Sequence, residues 1–226
     1  LRRDPHDLGL APDGTHDDEP SDAAQDRTEE PTATLHGAVR RAPFWWLTTA
    51  FALDTMALLA IAAHAVPLLL ERGQPASLVA LAVGSIGAWQ VAGRLIFAPA
   101  TERLPLRTLT IVTYLTRAAS LTLILAMPGL LGMFIFASLF GLANGASTLA
   151  RAGIVAEVFG ARHYGAINGA MSGLVVPLRV SAPLAVGALR TSTGGYDLAL
   201  AIGIVIVALA ALAVTQVTPR PPLRPA

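Results

Sequence analysis

Cysteine and lysine are absent from the 226-residue sequence. The first absence removes disulfides, thiolate catalysis and Cys-based metal sites. The second makes all 16 basic residues arginines, whose charge is not shed by deprotonation. Charge of either sign is also scarce beyond residue 41, where the acids are Asp54, Glu71, Glu102, Glu157 and Asp197 alone. Nothing in so sparse a pattern points to a nucleic-acid partner, to a metal or to a cofactor.

What is present divides the chain in two. Residues 1–41 are rich in Asp, Glu, Pro and small polar residues. They carry too little apolar surface to offset chain entropy, so a solvated, largely disordered cytoplasmic segment is expected. That segment lacks the apolar stretch of a signal peptide and is too acidic for a transit peptide, and its histidines and acids follow no tight metal-ligand spacing. The chain opens on Leu1 rather than Met, so a longer parent protein is expected.

From Pro43 onward apolar residues dominate. A spanning helix takes about 20 mostly apolar residues, and six segments qualify: Phe44–Leu70, Ala76–Phe97, Thr108–Met127, Leu130–Ala150, Ala166–Leu189 and Leu198–Val214. They are continuous rather than alternating, and lipid forces each backbone polar group to be satisfied within its own segment, so helices are expected rather than a barrel. The expected fold is all-α, a polytopic bundle of six transmembrane helices over residues 42–218 with a cytoplasmic tail at 219–226. Pro67, Pro177 and Pro183 mark expected kinks.

Arginine sets the orientation. Arg40, Arg41, Arg94, Arg103, Arg107, Arg151, Arg162, Arg220 and Arg224 fall on one side of that topology, and only Arg72 and Arg190 on the other. The positive-inside rule then places both termini in the cytoplasm. Trp45, Trp46, Tyr164 and Tyr196 stand at segment ends, as interfacial aromatics do.

Polar residues inside the spans are the candidate site. Asp54 lies about ten residues, hence about 15 Å, from the cytoplasmic end of the first span, near the bilayer centre. An ionisable group there is costly unless paired, hydrated or protonated, which makes it a candidate for binding or for proton-coupled transport. His64, further along the same span, and Gln90 in the second are further polar candidates, while Trp89 reads as packing. In the fifth span Asn168, Ser172 and Arg179 share a helix face, as do Asn144, Thr148 and Arg151 in the fourth. Gly165, Gly169 and Gly173 form a ladder of small residues that permits close helix contact. Thr110, Thr113 and Arg117 share a face of the third span, and Arg117 is expected to pair inward against a neighbour.

The connection "VAGRLIFAPATERLPLRTL" carries Arg94, Glu102, Arg103 and Arg107. It resembles the loop motif of the major facilitator superfamily: Ala98 stands at the family's first glycine, Glu102 at its Asp, Arg103 at its Arg and Arg107 at its last base, while Pro105 and Leu106 replace a Gly and an Arg. "FGLANGASTLARAGIVAEVFGARHYGAINGAMSG" and "TSTGGYDLAL" are similar to stretches of the bacterial branch related to monocarboxylate and oxalate:formate exchangers. "LRRDPHDLGLAPDG" is similar to the start of that family's central cytoplasmic loop.

The resemblance implies the C-terminal half of a twelve-helix secondary transporter in the plasma (inner) membrane. An N-terminal six-helix half, the lipid bilayer and a small solute would be its partners, with symport or antiport as the coupling. It implies that the first, second, fourth and fifth spans line a cavity and that the third and sixth lie outside. Asp54, His64, Gln90, Asn144 and Arg179 are then expected at the substrate. Arg94, Glu102, Arg103, Arg107 and Arg151 are expected to gate by charge contacts that open as the halves rock. No mid-membrane base stands in the second span, so a monocarboxylate is expected rather than a dicarboxylate; the alternative partner for Arg179 is Asp54.

Other classes fit less well. An intramembrane serine protease needs a Ser with a His on another helix, and "AMSG" at 170–173 begins with Ala, so no enzyme is expected. Nothing specifies the charge rings or carbonyl filter of a channel. A half-transporter that does not transport, serving as a remnant or an assembly module, is the nearer alternative.

Overall fold

The computed structural model describes residues 34–160 and 162–217. Most of the acidic 1–41 segment, the 219–226 tail, Arg220 and Arg224 lie outside the described residues. Within them, Thr34 caps a short helix, α1 (Leu35–Val39), by accepting from the Gly37 N–H at 3.2 Å. Trp45 ties α1 to the next helix by donating its Nε1–H to the Val39 carbonyl at 2.9 Å. The end of the acidic segment is therefore structured.

Six long helices follow: α2 (Ala42–Glu71), α3 (Ala76–Ala100), α4 (Leu106–Ala126), α5 (Leu130–Phe159), α6 (Tyr164–Thr193) and α7 (Asp197–Thr215). All six are long and apolar enough to cross a membrane. Proline opens three of them, inside the first turn of α2 and at the caps of α3 and α4, where a fixed φ helps and no N–H is missed. Gly160 and Gly194 close α5 and α6 at φ 83° and 76°, a region that costs other residues strain.

One boundary differs from expectation by a wide margin. The fourth span, expected to end at Ala150, continues to Phe159. Arg151 interrupts the apolar run but does not break a helix, and Ile154, Val155, Val158 and Phe159 beyond it are buried. Only Gly160 stops the winding. Arg151 thus sits two turns inside α5 rather than at its end.

The helices pack in a defined order: α3 on α5, α5 on α4, α4 on α7, α7 on α2 and α2 on α6. Exchanging α2 with α5, α3 with α6 and α4 with α7 maps this set of pairs onto itself. Each unit contains three crossings, so the second starts from the opposite side, which is the arrangement of an inverted repeat. α3 and α6 stand at the ends of the series and are the least buried helices. α7 buries Gly203, Val207, Ala210 and Val214 and turns Val205, Leu209 and Leu212 outward.

Two apolar clusters fill the bundle, one around Phe44, Phe51, Phe159 and Met171, the other around Leu69, Met133, Phe136 and Leu200. They occupy opposite ends and are divided along α2 between Ala57 and Ala60.

Glycine sets the closest approach, though not where the ladder of small residues suggests. A Cβ on Gly145 would lie 2.0 Å from the Gln90 carbonyl oxygen, and one on Gly93 2.3 Å from that of Leu142. These glycines let α3 and α5 touch backbone to backbone. Gly165, Gly169 and Gly173 have nothing within 4 Å of such a Cβ, so among the described residues the ladder makes no helix contact and faces open space.

Candidate functional site

The centre of the bundle holds an ion pair. Arg117 of α4 is fully buried, and its Nη1 donates to Asp54 Oδ1 at 2.7 Å and to the Asp54 carbonyl at 3.3 Å. Its Nη2 donates to Ser147 Oγ on α5 at 3.3 Å, and the guanidinium lies 5.7 Å from the centre of the Phe140 ring. Three helices are joined where the two apolar clusters meet. The alternative pairing of Arg179 with Asp54 is not formed, because Arg117 already satisfies that carboxylate. Asp54 itself is 6% exposed, which places it in the packing of the bundle rather than on an open surface.

A second polar group lies on the seam between α5 and α6. Arg151 Nη2 donates to Ser172 Oγ at 2.9 Å and Nε to Asn168 Oδ1 at 3.4 Å. The same guanidinium stacks 4.7 Å from the centre of the Phe51 ring of α2, a cation–π contact. The two stripes read separately from the sequence therefore meet, with Arg151 bridging them. Arg179 continues the α6 stripe; it is exposed and makes no hydrogen bond or ion pair among the described residues. Arg151 also lacks a carboxylate partner among those residues. Two permanent positive charges on one seam, each with donors to spare, suit an anion held by paired N–H···O bonds.

The other expected residues fall in several places. Gln90 and Asn144 are half-buried and flank the α3–α5 contact at Gly145. His64 is engaged at both ring nitrogens, Nε2 with the Pro183 carbonyl at 3.0 Å and Nδ1 with Tyr196 Oη at 3.2 Å. A carbonyl only accepts, so Nε2 carries the proton, and Nδ1 of a neutral ring accepts from the tyrosine. His64 thereby joins α2 to α6 and to the start of α7.

The loop residues do not form one charge cluster. Arg94, Glu102 and Arg103 are exposed, and no ion pair links them to one another or to Arg107 among the described residues. Arg107 instead donates to the Thr215 carbonyl at the end of α7, where a cation favours the helix dipole. The side with few arginines is the paired one: Arg72 meets Asp197 at 2.7 Å, and Arg190 meets Glu71.

Arg117 as the partner of Asp54, Ser147 beside it and Tyr196 on His64 were not legible as a set. The available signal was arithmetic: a buried acid in one span needs a base, and Arg117 is the base whose depth matches. The fold and this interior define a multi-pass helical membrane protein. No family model matches the chain, and a search of curated proteins finds no match either.

Proposed function

We propose that the chain is one six-helix half of a secondary active transporter that carries a small organic anion, such as a monocarboxylate, across the plasma (inner) membrane by alternating access. The observation that carries this reading is the seam of Arg151 and Arg179, two arginines within membrane-spanning helices that meet no carboxylate among the described residues. Such charges need an ion pair, polar groups, water or an anionic solute, and Arg179 has none of the protein partners among the described residues. The inverted-repeat pattern of packing supports it, since secondary transporters of this kind bind near the bilayer midplane between repeats. So does the resemblance to the major facilitator superfamily, which assigns the open face of α6 to an N-terminal half.

The surplus of arginine on the side of Arg40, Arg41, Arg103 and Arg107 supports cytoplasmic termini. Of the expected coupling modes, anion exchange fits the seam best. Asp54, the acid that suggested a coupled proton, is held by Arg117, and neither Arg151 nor Arg179 meets an acid among the described residues.

The test is uptake of labelled monocarboxylate by cells producing the protein from its native locus. Replacing Arg179 by Gln is expected to lower uptake at least about tenfold, the scale of one lost charge-assisted contact. Unchanged uptake with the same apparent affinity overturns the anion site. One observation favours the alternative, a half that assembles without transporting: Gly165, Gly169 and Gly173 present a face that no described residue covers. The mass of the native product decides between them, since a product of about this chain's size leaves no second half in the same polypeptide.

A further inference from the structure

The geometry points to a binding site for one phospholipid with an anionic headgroup, its acyl chain in the groove between α3 and α4 and its phosphate on Arg103. α3 and α4 both pack on α5 but hardly touch one another. The groove left between them is floored by Leu142 and Ala146, walled by Ile96, Phe97, Leu109 and Val112, and encloses about 200 Å³. Its two hydroxyl side chains are spent on their own helix, Thr113 donating to the Leu109 carbonyl at 2.8 Å and Thr116 to the Val112 carbonyl at 2.9 Å. The surface offered is therefore hydrocarbon.

Past Ile96 and Ala100 the groove runs on into a second hollow of about 320 Å³, bounded by Pro99, Arg103 and Leu104. Arg103 is exposed there and has no ion-pair partner among the described residues, not even its neighbour Glu102. A long stem along apolar surface with a charged head at the membrane boundary is how arginine meets a lipid headgroup.

The inverted repeat supplies an internal control. The equivalent groove lies between α6 and α7, is floored by Ala57 and Ala60 of α2, and encloses about 50 Å³. Both arginines at that end of the bundle are already held, Arg72 by Asp197 and Arg190 by Glu71. Any lipid covers apolar helix surface. Of these two grooves, the α3–α4 one alone has, among the described residues, an unpaired cation at its mouth, so it is the one that selects a negative phosphate. This inference needs the membrane but not the transport reading, and the two stand or fall separately.

The test is native mass spectrometry of the full chain in detergent, titrated with phosphatidylglycerol or with phosphatidylcholine of the same acyl chains. The chain is expected to retain phosphatidylglycerol about fivefold better, the effect of one basic residue at an anionic surface. Arg103→Gln is expected to erase that preference while leaving phosphatidylcholine unchanged. Val112→Phe, at an exposed groove position, is expected to lower retention of both, and Arg190→Gln to change neither. Equal retention of the two lipids by the parent chain, or a preference that survives Arg103→Gln, overturns the site. A dimer that Val112→Phe dissociates also overturns it, by making a second copy the occupant.

Discussion

The bundle interior and the open face of α6 are built from the same materials and behave in opposite ways. Each has an arginine at membrane depth and a set of glycines on helical spacing. Inside, Arg117 meets Asp54 at 2.7 Å and Gly145 abuts the Gln90 backbone. On α6, Arg179 meets no partner among the described residues, and Gly165, Gly169 and Gly173 meet nothing. A residue type at a spacing states what a face is able to do; only the neighbour decides whether it does so. The interior is spent on holding helices together, and the α6 face keeps its charge and its smooth surface for something else.

The sharpest way to break that contrast is to unpair the interior. Arg117→Met leaves the Asp54 carboxylate buried without a partner and is expected to cost about 3–5 kcal/mol, read by equilibrium unfolding of the full chain in mixed detergent micelles. Adding Asp54→Leu is expected to return most of that loss, because two apolar side chains replace the pair. A single variant as stable as the parent would mean that the pair does not hold α2 to α4.

Glycine gives the next largest effect. Gly145→Ala forces a Cβ to within 2.0 Å of a backbone oxygen, and overpacking of this kind costs about 1–3 kcal/mol. Gly169→Ala has open space around it and gains helix propensity, so a change of no more than about 1 kcal/mol, in the stabilising direction, is expected. The same unfolding assay compares them, and equal losses would erase the distinction between a closed and an open glycine face.

Smaller stability effects are expected for the two arginines of the α5–α6 seam, the smallest for Arg179. Arg151→Gln removes its bonds to Asn168 and Ser172 and the Phe51 contact, worth about 1–2 kcal/mol together. Arg179→Gln is expected to stay within about 0.5 kcal/mol, as exposed substitutions do, while lowering anion uptake at least about tenfold. A large stability loss at Arg179 would reassign it from solute contact to structure.

Much of the fold was legible because each span is a local property. Continuous apolar runs gave six helices in the right order, and proline and glycine punctuated most of their ends. The exception, α5, shows the limit: a charge such as Arg151 ends an apolar run without ending a helix, and winding continues until a residue such as Gly160 turns the backbone away. The candidate site was legible in pieces. The stripes of α5 and α6 could be read from helical spacing, but not that Arg151 would bridge them, since the contact depends on how two separately formed helices are set against each other.

The sequence by itself determined that this chain forms six helices fit for a membrane, and that positive charge gathers on one side of them. Apolar length and loop charge act within one segment at a time, so no long-range information is needed. The tertiary structure alone decided that Asp54 belongs to Arg117, that His64 belongs to Tyr196 and Pro183, and that one glycine set closes while the other stays open. Asp54 and Arg117 lie 63 positions apart. A helix turns every 3.6 residues, so a stripe can face any neighbour; packing chooses which one, because a buried charge left unpaired costs more than the rotation that pairs it.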